Sequence, residues 1–450
     1  MKTINKILLG IILGVSLIVI TTNLAGSVGI GWWNEMANVS LDLSGTDENA
    51  WMNNIGMETA YDSSRGLVYI ATTGGEFGYY NISSNVTIDL SGTDFGGWIG
   101  ASNINSLIYD SEHDLVYLVG AGGKFGFYNL TENISYSLGG TDVADWMGTA
   151  TLNTLTYNPD NDLVYIGGLA KFGYYDITSN VSTSIGTALT ISRLMYEPSS
   201  RNVIYVGTAG LNPFQRYNIT NGVLTDLSAT DTDNWLGANT LRGLAYDSKR
   251  DLIFLAGTAS KFGYYNITSN VATTLDGTDP GNWLRGNNAT SQLIYNPDDD
   301  RIYLAIGTVT TNSRGFGYYN WDENITGDLY STDYPGDWMG TNAINTVVLD
   351  SDRDLIYMAG ASGLFGFYNL NEETPHVSTC TPPLTGNWHI DCYDNCTWPM
   401  SKLIPGNITI SGSGNLYLAS IWYFNSTKPY IFMDGLGCNL NIYPGGGFRT

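Results

Sequence analysis

One phrase, aromatic-Gly-aromatic-Tyr-Asn-Ile-Thr with small variations, returns seven times along the 450 residues. Its closing tyrosines are Tyr80, Tyr128, Tyr175, Tyr217, Tyr265, Tyr319 and Tyr368, so the intervals are 48, 47, 42, 48, 54 and 49 residues. A motif at near-constant spacing marks one supersecondary unit copied many times, and this period is that of a propeller blade.

Each copy carries the same internal order. Asn105 to Tyr109 alternates like a short strand, the polar run 110–114 turns the chain, and Leu115 to Val119 is a second, wholly apolar strand. Glycines then interrupt, a third strand runs from Phe125 to Leu130, and a hairpin leads to a fourth at Ile134 to Leu138. Four β-rich strands without helical periodicity predict a four-stranded antiparallel blade, with strands A to D from the axis outward. After the seventh C strand, Phe365 to Leu370, no D strand follows, whereas an orphan D strand, Val39 to Leu43, precedes the first A strand. Pairing the two closes the ring and removes its open edges. The expected fold is all-β: a seven-bladed β-propeller over 38–371 closed by an N-terminal strand, a linker at 372–386, and a small β module at 387–450.

Asp162-Leu-Val-Tyr-Ile-Gly-Gly168 followed by Tyr174-Tyr-Asp-Ile-Thr-Ser-Asn180 resembles a kelch repeat, and the Leu-Val-Tyr-Ile strands are similar to those of YVTN-type surface propellers. The resemblance covers 38–370 and implies a secreted propeller; in the kelch family it also implies either oxidase activity or service as a partner adaptor.

Lys2 and Lys6 precede a fourteen-residue apolar run, Ile7 to Ile20, followed by small residues at 25–27. That run suits a signal h-region over 1–27 better than a membrane span, while an uncleaved N-terminal anchor stays open. Both place the protein outside the cell, secreted or on its surface. The ring has no cysteine; Cys380, Cys392, Cys396 and Cys438 cluster in the tail, where an even set predicts two disulfides with three connectivities. Zinc held by His389, Cys392 and Cys396 is the alternative. The tail's strand, glycine turn, strand pattern suggests solenoid rungs or a sandwich fragment, and it resembles the tail modules of archaeal surface proteins. Sequons at Asn81, Asn85, Asn129, Asn133, Asn180, Asn218, Asn266 and Asn324 fall in C–D hairpins, predicting a glycoprotein with one sugar-bearing face.

The formal charge of −23 repels nucleic acid. Calcium is a weak expectation for the acids of the A–B turns, such as Asp110/Asp114, Asp247/Asp251, Asp350/Asp354 and the run 298–300, because Asx-turn chemistry accounts for most of them; no cofactor is otherwise implied.

Two constellations could bind a ligand. The D–A connections repeat Asp-x-x-x-Trp around one face: Trp51, Trp98 with Asp94, Trp146 with Asp142, Trp235 and Trp283, with one residue more before Trp338. Indole faces stack on sugars and carboxylates accept their hydroxyls, but a tryptophan beside Met, Ile or Leu at a blade junction also serves as a wedge with its Asp capping the loop. These loops are similar to the Asp-box of sialidases, at another spacing. The channel mouth differs from blade to blade, with Glu58, Asn105, Asn153, Arg193, Arg242, Gln292 and Asn345 just before the A-strand cores, and Arg193 with Arg242 could clamp a carboxylate or sulfate. The ring carries no Ser-His-Asp, Cys-His or phosphate-loop motif. The expected function is a surface binding or adhesion module for a glycan or surface protein and not an enzyme. A carbohydrate-active enzyme using the mouth, or a cell-wall scaffold, are the alternatives.

Overall fold

The computed structural model describes residues 40–47, 51–52, 56–94, 96–100, 102–142, 144–198, 201–278, 290–307, 315–329, 339 and 343–370, together with short strands between 388 and 449. The chain divides into two compact units, one ending at Asn371 and the other beginning at Glu372.

The first unit is the seven-bladed propeller. Six blades are four-stranded antiparallel sheets in sequence order, for example Ile104–Asp110, Leu115–Gly120, Phe125–Asn129 and Ile134–Ser137 in blade 2. Blade 7 takes its A, B and C strands from Ile344–Asp350, Leu355–Gly360 and Phe365–Asn369 and its D strand from Ser40–Asp42, with Leu41 opposite Phe367. Each A strand packs on the next one, and that of blade 7 meets that of blade 1, Met57–Asp62. The ring is closed by the expected clasp.

Position in the blade explains the recurring phrase. B strands lie between sheets on both sides and are buried along almost their whole length, completely so in Leu67–Thr72, so they read as nearly unbroken apolar runs. In the C strand the leading Phe is core (Phe77, Phe125, Phe172), and in blades 1, 2, 3, 5 and 6 the buried fourth-position Tyr sends its hydroxyl to an Asn five residues on. Tyr80 donates to Asn85 Oδ1 at 2.9 Å and Tyr128 to Asn133 Oδ1 at 2.8 Å. Those asparagines hold φ near +55°, a conformation Asn tolerates well. Tyrosine and turn asparagine therefore recur together because the hydroxyl of the one fixes the turn made by the other.

In the second unit nine short strands form three parallel three-stranded sheets, as in Trp388–Asp391, Ile408–Ser411 and Ile431–Asp434. Ile390, Ile404, Ile408, Leu418 and Trp422 fill its interior. This is a three-rung solenoid rather than a sandwich fragment. Cys380, Cys392 and Cys396 lie outside the described residues, as does the side chain of Cys438, so the disulfide expectation falls outside them too.

Candidate functional site

Six of the seven A strands open with a β-bulge, and it is these bulges that build the channel mouth. The register slips between Ile104 and Ser106, Leu152 and Thr154, Ile191 and Arg193, Leu241 and Gly243, Thr290 and Gln292, and Ile344 and Thr346. An inserted residue cannot enter the ladder, so its side chain is re-aimed. The six inserted residues, Asn105, Asn153, Ser192, Arg242, Ser291 and Asn345, all line one cavity of about 500 Å³ together with Glu58 and Arg193.

Four of them tie the ring together. Asn105 Nδ2 donates to the Leu152 carbonyl at 2.8 Å, Asn153 Nδ2 to the Ile191 carbonyl at 2.8 Å, and Ser291 Oγ to the Ile344 carbonyl at 2.7 Å. Ser192 Oγ donates to the Leu241 carbonyl. Each staple reaches the residue just ahead of the next bulge. Arg242 breaks the series: it is exposed, and neither it nor Arg193 has a carboxylate within 4 Å among the described residues.

Glu58 is the acid of this lining and comes from the unbulged A strand of blade 1, three blades from Arg193. Burial pushes its carboxyl up to about 7, against the favourable charge of Arg193. The structure thus gathers Glu58, Arg193, Arg242, Asn105, Asn153 and Asn345 at one mouth. Gln292 differs: its Oε1 accepts from the Val347 backbone N–H at 3.1 Å, and Ser291 takes the lining position in its place. The bulge of blade 6 exposes the residue one place earlier than the sequence pattern suggests.

The four described tryptophans of the D–A loops take the wedge alternative. Trp51, Trp98, Trp146 and Trp235 are 5–8% exposed, each wedged between sheets. Each indole covers a C-strand glycine: a Cβ at Gly78 would lie 2.7 Å from Trp51, at Gly126 2.5 Å from Trp98, at Gly173 2.7 Å from Trp146 and at Gly263 2.7 Å from Trp235. Asp94 accepts from the backbone N–H groups of Trp98 and Ile99 at 3.0 Å, and Asp142 from those of Trp146 and Met147 at 2.9 and 2.7 Å. These carboxylates cap loops and leave no ring face for a pyranose. Trp283 and Trp338 lie outside the described residues.

On the opposite face, several of the turn acids weighed as calcium ligands take part in latches between blades. Arg65 links buried Asp62 of its own blade to Asp114 of the next, at 3.1 and 2.8 Å. Arg250 links Asp247 at 2.9 Å to Asp300, Arg201 links Glu197 to Asp251, and Arg353 joins Asp350 to the Tyr61 hydroxyl, both at 3.0 Å. Arg65 beside Asp114 and Arg250 beside Asp300 hold those carboxyls below the usual aspartate range.

No protein-family model matches the sequence, and no curated protein matches it. Among solved structures, a chain of the crystal structure of a mitotic checkpoint complex superposes with a TM-score of 0.54 at 12% identity, over 75% of this chain and 96% of that one. At that identity the likeness bears on fold alone, and it agrees with the seven-bladed ring.

Proposed function

We propose that this protein is an exported, surface-displayed binding module, of the kelch and YVTN-type kind, whose channel mouth holds the carboxylate or sulfate of an acidic glycan. The observation that carries the reading is the pair Arg193 and Arg242, on adjacent blades in one cavity and without acidic partners among the described residues. A pair of guanidinium forks suits an oxyanion, and the neighbouring amides and hydroxyls suit sugar hydroxyls. The basic leader with its apolar run supports export, and the sequons on exposed C–D hairpins support a glycosylated surface protein with a disulfide-bonded tail, archaeal in type. Non-reducing mass spectrometry of secreted protein checks leader cleavage, glycans and cystines together.

Glu58 makes binding pH-dependent. Ionised, it places a negative charge near Arg193 and opposes an anion; protonated below about 7, it donates to one. Uronate and sulfated oligosaccharides are therefore expected to bind more tightly at pH 5.5 than at 8.5, and Glu58→Gln to bind alike at both. Arg193→Ala with Arg242→Ala is expected to weaken binding by about 100-fold or more, the loss of two charge-assisted contacts. Glycan-array and calorimetric titrations of the secreted chain test this; unchanged binding by the folded double-arginine variant would sink the assignment, and capture of an acidic surface protein alone would move the ligand to a protein.

The same carboxyl supports a second reading, a glycosidase or lyase, because a carboxyl near 7 is poised as a general acid. Release of reducing ends that Glu58→Gln abolishes would establish it. Glu58 also sets a stability expectation. A carboxyl raised in the fold contributes stability that is full below its ordinary value of 4.5 and is lost as pH rises through about 7. Relative to wild type, Glu58→Gln should therefore gain in melting temperature from about pH 5 to 7 and hold that gain above it.

A further inference from the structure

The latches of the A–B face follow a rule with one departure. Where an A strand ends in a buried carboxylate, the following turn supplies an arginine: Asp62 with Arg65, Glu197 with Arg201, Asp247 with Arg250 and Asp350 with Arg353. Where it ends in a buried asparagine, Asn158 or Asn296, the turn carries Asn161 or Asp299 instead. Blade 2 ends in Asp110, fully buried, yet the arginine position holds His113.

We propose that Glu112, His113 and Asp162 form a binding site for a divalent transition-metal ion at the junction of blades 2 and 3. The donor atoms of the three lie within 4.8 Å of one another. His113 Nδ1 stands 2.8 Å from Asp110 Oδ2, and a carboxylate there accepts the Nδ1 proton, leaving Nε2 with its lone pair. A buried carboxylate behind the imidazole is how metal-binding histidines are oriented and made more basic. Asp162 is pinned by its φ of +53° and by the Tyr157 hydroxyl at 3.1 Å, which also reaches Glu112 Oε2 at 3.3 Å. The acids are thus gathered on one side of the ring, and exposed Glu112 has the torsional freedom to close donor spacings to the roughly 3.4 Å that bonds of about 2.1 Å require.

Charge favours an ion here. At the neighbouring junction Asp62 and Asp114 share the permanent charge of Arg65. Three carboxylates, Asp110, Glu112 and Asp162, meet at His113, whose imidazole carries a positive charge only when protonated. A bound dication supplies the missing charge and polarises the imidazole toward Asp110. One nitrogen and two oxygens with open positions suit Zn²⁺, Cu²⁺ or Ni²⁺; calcium prefers an all-oxygen shell.

Calorimetric titration of the tag-free, full-length protein with Zn²⁺, with thermal melts alongside, tests the site. His113→Arg restores the latch of blades 1, 5 and 7, so it should fold and melt like wild type while losing one Zn²⁺ equivalent and the Zn²⁺-induced rise in melting point. Glu112→Gln with Asp162→Asn should lose the same equivalent, and Asp110→Asn should bind about 10–100-fold more weakly through a disoriented imidazole. His389→Ala, in the second unit, should leave the equivalent intact. Full retention of Zn²⁺ binding by His113→Arg, no binding by wild type in excess Zn²⁺, or a Ca²⁺ response that survives His113→Arg would each overturn the proposal.

Discussion

Trp98→Ala is expected to lower the unfolding free energy by about 3–5 kcal/mol, and Gly126→Ala by about 1–3 kcal/mol, with the double variant losing clearly less than the sum. The indole of Trp98 lies in a cluster with Leu90, Ile99, Ile104, Val116 and Tyr128 that joins blades 1 and 2. Removing it opens a large cavity between two sheets that are each held by their own ladders and cannot collapse freely. A methyl on Gly126 drives into that same indole and toward the Tyr136 carbonyl oxygen. With the indole gone, the methyl loses that clash and keeps the closer one, with the Tyr136 carbonyl oxygen at 2.2 Å. A coupling of about 1 kcal/mol or more is therefore expected from urea denaturation of the four proteins in the cycle. Strict additivity would mean that the Tyr136 carbonyl, and not the Trp98 indole, sets the cost of a methyl at Gly126. The matching comparison is blade 4, where the loop at 186–190 has no tryptophan and Gln215, buried, stands in place of the glycine. Gln215→Gly should open a void where blades 1, 2, 3 and 5 have an indole.

That covariation was present in the chain itself. The repeat length, the strand order and the orphan D strand made closure legible, because a seven-fold pattern leaves one way to pair its two ends. The mouth was legible to within one residue: Arg193 and Arg242 were found, but Ser192 and Ser291 were passed over because a bulge shifts the lining position and has no sequence mark of its own. The tryptophans were ambiguous because an indole that stacks on sugar and one that wedges sheets look alike in their own loop. The deciding signal lay some thirty residues away, in the glycine that blade 4 loses together with its tryptophan. The turn acids gave a similar lesson. Considered blade by blade they suggest cation ligands, whereas compared across blades they track arginine, and only then does His113 stand out.

Arg250→Met is expected to cost about 3–5 kcal/mol, the range for breaking a buried ion pair by removing one partner. Arg250 is mostly buried and holds Asp247, whose side chain is 1% exposed, at 2.9 Å and Asp300 Oδ1 at 2.6 Å, with its guanidinium 4.8 Å from the Trp321 ring centre. Methionine keeps the stem's packing but leaves Asp247 as a buried charge without its cation, while Asp300 across the junction of blades 5 and 6 keeps Lys249 as its cation, at 2.6 Å. Arg65→Met should cost less, because the Arg65 side chain is 40% exposed and its pair with Asp114 is screened by solvent. The pH dependence fixes the mechanism. Arg250 holds the Asp300 carboxyl below its ordinary range, so the pair contributes stability above the ordinary aspartate value that is lost as the pH falls through the depressed one. The gap in melting temperature between wild type and Arg250→Met should therefore be widest near neutrality and narrow as the pH is taken below about 4. A gap that stays constant into acid would show that Arg250 acts through its packing on Trp321 rather than through its charge.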